Sequence, residues 1–528
     1  MLTTRNFIFA ALTLLLISFT GHSQPPVEKG LSTITINSIQ GPLTFLSSDH
    51  LNGREPGMNG GYVAADYIAS LFRTFGLPPG GDDGSYYQPV DILVTDNNNA
   101  KHTIYIVSEN SSGKSSVEFD QNIDLLGPPV FHSLNIEGSI VYAGYGMADK
   151  KFNELSGIKS KGAVLVRLKG YPGEKDSLSK AFKYFSDKDK KALAKQNEEA
   201  AKALSVSAIL EYDPEDPYLE KHIAKRNNNV TKADNCEVKH NTHSSDIYTK
   251  NFRLQDDNSE NIPVYSISRN LLEIVFPDWG KMTASTIKNG AKFQATSPVV
   301  SEKKIRIEAR ADVKHISTDN ILAVIKGSEK PGEVIVVGAH YDHLGAYNGF
   351  IWNGADDNGS GAIGMVGIAR AFAATGVKPK RTVIFAAWTA EERGLLGSKY
   401  FVKTYPNLKN IICYHNYDMI GRSYDPAKPD SAVALLYTKS WKAAETLTKE
   451  AVEKYNIGLK INYSAWDNPT SGSDNAPFAK KDIPIMWFHT GGHPDYHKPS
   501  DHVDHIDWQK MRDIIKVSFV SLWELANE

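Results

Sequence analysis

Acid and imidazole groups recur in five stretches of this chain, most of them where an apolar run stops. His340 and Asp342 stand in "GAHYDHLG", directly after Val334-Ile335-Val336-Val337. Asp356 and Asp357 open "GADDNGSG", Glu391 and Glu392 sit in "WTAEERGLLGS", and Asp418 opens "DMIGR". The last group is the histidine- and aspartate-rich "GGHPDYHKPSDHVDHID", with His497 inside it. Each has a bland reading: Asp-Asp-Asn-Gly as a turn and helix cap, Glu-Glu as a helix start favoured by the macrodipole. Gathered at one place, several carboxylates without cationic partners repel one another and resist desolvation. A bound divalent cation removes that cost, so the joint reading is a metal site. Imidazole plus carboxylate without thiolate suits zinc, with cobalt or manganese as substitutes, and not calcium or magnesium, which prefer oxygen alone. Five candidate ligands suggest two ions sharing a carboxylate.

The elements that would gather these groups are strands and helices in alternation after residue 300. Strands are predicted at 320–325, 334–339, 382–389, 410–418, 432–437 and 483–489, and helices at 361–375, 397–405, 440–455 and 507–526. That order predicts an α/β layer structure with a parallel or mixed central sheet, whose ligand crevice lies beyond the carboxyl ends of the strands. Four of those ends carry the acid and imidazole groups. Upstream, Tyr62, Ala65, Ile68, Leu71 and Phe72 predict a helix ending at Gly76. Between 130 and 298 the texture changes to short strand-like runs around a Lys-rich amphipathic helix, Lys175 to Leu204.

Length and composition bound the rest. A chain of 528 residues exceeds the size of a single core, so two domains are expected. Hydrophobic residues at 41% and charged residues at 23% are those of a globular protein, and a net charge of -2 gives no footprint for nucleic acid or an anionic membrane. The first 23 residues, with Arg5, an apolar run from Phe7 to Phe19 and Gly21-His22-Ser23, predict a secretory signal peptide cleaved near Gln24, leaving no membrane insertion. Two cysteines, Cys236 and Cys413, are too few for a disulfide scaffold.

The motifs, taken in order, resemble the dizinc aminopeptidase family that also holds glutamate carboxypeptidase II, the glutaminyl cyclases and the metal-free transferrin receptor. The likeness runs through "FLSSDHLNGREPGMNGGYVAADYIASLFRTFGLPP" and residues 300 to 528. Residues 130 to 298, through "GSIVYAGYG", "SKGAVLVRL", "ALSVSAILEY" and "IPVYSIS", resemble more loosely a protease-associated domain. The resemblance implies a three-layer α/β/α peptidase domain in two parts, 24–129 and 299–528, with a β-rich insertion at 130–298. It also implies that His340 and Asp418 hold one Zn2+, Glu392 and His497 the other, and that Asp357 bridges them, Asp356 being the alternative. Glu391 takes the place of the general base that activates a metal-held water, and Asp342 that of the carboxylate orienting His340. "SGSDNAPF" departs from the family's Ser-Asp-His by placing Asn475 where the histidine stands. His343, His489, His493, His502 and His505 fall outside this scheme and are expected to be structural or exposed.

The function so implied is a secreted or periplasmic aminopeptidase acting on peptides. A glutaminyl cyclase-like acyl transferase, a carboxypeptidase or dipeptidase, and a binding protein on an inactive scaffold are the alternatives. The site loops carry only Arg393 and Arg422, and a carboxypeptidase needs arginines for the terminal carboxylate.

Overall fold

The computed structural model describes residues 24–96, 99–110, 113–121, 123–159, 161–221, 249–257, 261–423 and 432–528. The stretch expected to be a signal peptide and Cys236 lie outside them. Among the described residues no helix is long and apolar enough to cross a membrane.

The uninterrupted run Val334-Ile335-Val336-Val337 sets the architecture. A strand apolar on every residue must be covered on both faces, and here alternate residues face two separate cores. Ile335, Val337 and Ala339 pack beneath the helices Gly361–Ala374 and Trp508–Asn527, whose Ile363, Phe372 and Phe519 share that core. Val334 and Val336 face the other way, toward Phe401 of Leu396–Thr404 and Phe478 of Asn475–Ala479. Full burial of each such side chain stabilises by about 1.5–3 kcal/mol. The result is the expected three-layer α/β/α arrangement.

Nine strands form the central sheet, in the order Lys250–Leu254, Tyr87–Asp96, Val313–Ile325, Arg381–Trp388, Lys330–His340, Ile411–Tyr417, Ile485–His489, Ala432–Thr438 and Lys460–Trp466. The four from Arg381–Trp388 to Ile485–His489 run parallel, so their carboxyl ends share one rim. Register aligns those ends closely: His340 pairs with Trp388, Gly338 with Asn416, and Tyr417 with Phe488. The flanking strands are joined antiparallel to this block, which makes the sheet mixed.

A second sheet of eight strands, in the order Gly113–Asp120, Lys101–Asn110, Val299–Arg310, Leu134–Tyr142, Val164–Leu168, Ala208–Tyr212, Val264–Ile267 and Leu125–Leu126, has its own core around Tyr142, Val166, Tyr265 and Trp279. Its strands extend past both ends of the expected insertion. Residues 101–120 and 299–310 belong to this sheet, so the chain passes between sheets at 96–101 and 310–313 rather than at 129/130 and 298/299. Long strands run up to both crossings with only short connections between them, Asp-Asn-Asn-Asn-Ala at 96–100 and Ala311-Asp312 at the other. Within the expected insertion, Lys250–Leu254 returns to pair with Tyr87–Asp96 of the first sheet. The Lys-rich helix is two helices, Lys180–Phe185 and Lys190–Ala203, because Asp189 interrupts the first pattern and caps the second helix through the N–H groups of Lys191 and Ala192.

Candidate metal centre

Each strand end at the shared rim contributes a group whose direction is fixed locally. His340 closes its strand and its Nδ1 lies 3.2 Å from the carbonyl oxygen of Asp342. A carbonyl only accepts, so Nδ1 carries the proton and Nε2 presents a lone pair. That Nε2 is buried without a hydrogen-bond partner, 3.5 Å from Asp357 Oδ1 and 3.8 Å from both Asp418 Oδ2 and Glu391 Oε2. The Asp342 carboxylate is 3.7 Å from the ring and accepts instead from the backbone N–H groups of Glu391 (3.0 Å) and Glu392 (3.3 Å). Its carbonyl orients the imidazole, and its carboxylate pins the turn carrying the two glutamates.

Those glutamates diverge because Ala390 before them holds a left-handed backbone, φ +53°. Glu391 turns toward His340. Glu392 turns its Oε2 to within 3.2 Å of His497 Nε2 and its Oε1 to within 2.7 Å of His343 Nδ1. Met419, after Asp418, and His497 are likewise left-handed at φ +61° and +54°. Non-glycine residues in that region cost about 1 kcal/mol or more each and persist where their surroundings over-determine them.

The adjacent aspartates separate cleanly. Asp356 Oδ1 accepts from Gly421 N–H (2.7 Å) and Ser360 Oγ (2.9 Å), and its Oδ2 faces His493 Nε2 at 3.3 Å. Asp357 turns the other way, with Oδ1 3.5 Å from His340 Nε2 and Oδ2 3.0 Å from His497 Nε2. Asp501 accepts from the backbone N–H groups of both. Asp357, not Asp356, therefore lies between the two imidazoles.

The charge balance of the cluster is abnormal. Burial works against a charged His340, yet Glu391, Asp418 and Asp342 overcome it and hold its pKa well above the usual histidine range. His497 is likewise pushed up to about 12, against burial, by Glu392 and Asp357. Burial pushes Glu391 well above the carboxylate range, with help from Asp474, Glu392 and Asp418. Neighbouring Glu392 falls well below it, because His497 and His343 outweigh burial. Imidazoles lie nearest these carboxylates, buried Arg54 acts on Asp342, Asp357 and Glu392 from further away, and His340 Nε2 stays buried without a hydrogen-bond partner. Two donors on one tetrahedral zinc at about 2.0–2.2 Å lie roughly 3.3–3.6 Å apart. The separations around Asp357, 3.0 to 3.8 Å, match that spacing. The donor set fits zinc.

Two trios lie close enough to grip an ion: His340, Glu391 and Asp418, and His343, Asp357 and Glu392. The second has His343 where His497 was expected. His497 is the better placed toward the carboxylates, at 3.0 and 3.2 Å with its ring on a cavity, while His343 is 4.0 Å from Asp357. The cavity, about 290 Å³, is lined by Glu391, Asp418, Met419, Trp487, Tyr496 and His497 among others. A larger one of about 750 Å³ beside Phe131 and Arg253 carries no such acid–imidazole cluster among the described residues.

Several site residues escaped the sequence reading. His343 and His493 are buried against the centre, and His489 lines the cavity with its Nδ1 2.8 Å from the Asp418 carbonyl. Arg54 is fully buried, and its guanidinium donates to the carbonyls of Tyr341 (2.6 Å), Leu46 (2.9 Å), Asn353 (2.5 Å) and Gly354 (2.9 Å). It ties the loop after His340 to the loop before Asp357. Asn475 donates to the carbonyls of Pro469 and Ser471 and does not line the cavity.

A mixed-sheet α/β protein with a buried acid and imidazole metal centre at the carboxyl rim is the class these observations define. Residues 320–521 match Peptidase family M28, so the chain carries that family's pattern over the segment holding every expected ligand. Leucine aminopeptidase 2 of Trichophyton equinum is 32% identical over 216 residues, 40% of this chain and 39% of that protein. A glutamate carboxypeptidase 2 homolog of Caenorhabditis elegans is 28% identical over 210 residues, 36% of this chain and 26% of that protein. The chain thus matches about two fifths or less of the length of these relatives. The aminopeptidase from Aneurinibacillus sp. strain AM-1 shares the fold, with a TM-score of 0.51 at 18% identity over 95% of this chain and 96% of that one.

Proposed function

We propose that this chain is an exported zinc-dependent aminopeptidase that removes N-terminal residues from peptides. One observation carries the reading: Asp357 stands between two imidazoles, 3.5 Å from His340 Nε2 and 3.0 Å from His497 Nε2, as a carboxylate shared by two ions must. His340 and Asp418 would hold one zinc and Glu392 and His497 the other, with Asp357 available to both. When bound, zinc lowers the pKa of water toward neutrality and polarises the scissile carbonyl. Glu391, turned away from Glu392 by the Ala390 backbone and toward the cavity, would take a proton from water and return it to the leaving amine. Tyr496 stacks on His497 with ring centroids 3.9 Å apart and lines the same cavity. Its half-exposed phenol keeps its proton at neutral pH, so it serves as a neutral donor to the developing oxyanion.

Substrate polarity follows from charge. Among the described residues no arginine or lysine lines the cavity. Arg393 is buried against Glu55 and the Leu344 carbonyl, and Arg422 pairs with Asp495. A terminal carboxylate finds no arginine or lysine there to clasp it, whereas a terminal ammonium finds Asp418 and Glu391. The test is a panel of amino-acid anilides, N-acetylated peptides and N-terminal glutamine peptides. The expected result is release from free amines only, abolished by chelator and restored by zinc. Pyroglutamate formation without release, or cleavage of N-acetylated peptides, overturns it.

A further inference from the structure

His343 is absent from the ligand set above, yet its side chain is fully buried beside it. Its Nδ1 lies 2.7 Å from Glu392 Oε1, and because a carboxylate oxygen only accepts, Nδ1 carries the proton and donates. Glu392 Oε2 is the oxygen left to face His497 Nε2, at 3.2 Å. The ring meets His497 edge-on, centroids 5.9 Å apart. Its other side fills a slot that only glycine leaves open: a Cβ on Gly354, where φ is +55°, would come within 2.5 Å of two His343 ring atoms. Arg54 holds that glycine's carbonyl at 2.9 Å. Ring, slot and anchor together fix one donor against one oxygen of one carboxylate. Asp357 is the next nearest acid, at 4.0 Å, and no contact joins His343 to Asp418.

We propose that His343 is a positioning residue: by occupying Oε1 it commits Glu392 Oε2 to the metal centre, and so tunes one of two ion sites while leaving the other alone. This rests on the two-ion reading of the centre. Donors to a ligating group from outside the coordination shell typically change metal affinity by about 10–100-fold.

The experiment titrates cobalt into the chelator-stripped full chain, read by calorimetry and by visible absorption. The parent takes two ions. His343→Leu weakens one binding step by about 10–100-fold and leaves the other within about threefold, while His343→Asn, whose amide supplies a donor near Nδ1, stays within about threefold at both. At saturating cobalt all three give the same absorption envelope, because no ligand has been removed. A parent that binds a single ion overturns the two-ion reading and this assignment with it. A two-ion parent in which leucine moves both steps equally or neither, asparagine fails to rescue, or the saturated spectrum changes, overturns the assignment alone.

Discussion

Both sheets of this protein bury carboxylic acids, and they do so differently. In the eight-stranded unit Glu154 is 1% exposed and turns its oxygens to the backbone N–H groups of Tyr145 (2.8 Å) and Met147 (3.3 Å). Burial pushes it up to about 7, and its neighbours are amides that satisfy it. At the rim of the nine-stranded sheet Asp357, Glu391, Glu392 and Asp418 face imidazoles, and some of the lone pairs stay unpartnered. A buried acid is therefore no mark of a site by itself. Convergence of several acids on lone pairs that the protein does not satisfy is the mark.

The largest effect that sharpens this contrast is expected from Glu391→Gln. It keeps the shape and removes the proton acceptor, so kcat should fall by roughly 10²–10⁴ with zinc content unchanged. Metal analysis beside steady-state kinetics checks this; full activity would reduce Glu391 to the status of Glu154.

Glu154→Gln tests the other half, and its signature is in stability. Folded Glu154 titrates near 7 and unfolded near 4.5, so its contribution is complete below pH 4.5 and is lost as pH rises through about 7. Across that window the parent should lose up to about 3 kcal/mol that the variant does not, with kcat unaltered. Melting the two proteins side by side between pH 4.5 and 8 reads the difference; parallel curves would show that Glu154 is ordinary. The smallest effect is expected at Asp189, which caps Lys190–Ala203. Asp189→Ala should cost about 1 kcal/mol in denaturant unfolding and leave turnover as it was.

Much of the centre was legible because parallel strands advertise themselves. Continuous apolar runs such as Val334 to Val337 locate strand ends to within a residue or two, and His340, Glu391 and Asp418 fall just there. The choice between Asp356 and Asp357 was not legible, since it turns on a hydrogen bond from Gly421, a loop distant in sequence. The choice for His343 between buried and exposed was not legible, because the side of the strand end it faces depends on the slot at Gly354. Arg54 gave no signal: its partners are four carbonyls, and carbonyls leave no trace in a sequence. Lys250–Leu254, "KNFRL", alternates too little to read as a strand, and only its pairing with Tyr87–Asp96 reveals it.

That same five-residue strand changes how the molecule can be taken apart. Cuts at 130 and 298 would split the eight-stranded sheet between Val299–Arg310 and Leu134–Tyr142, baring on each side a ladder prone to self-association. Cuts at the crossings near 100 and 311 keep that sheet whole but carry off Lys250–Leu254, the border of its neighbour. Neither half can be excised as a cassette without wounding the other, and engineers who would shorten this protein must leave a stitch behind.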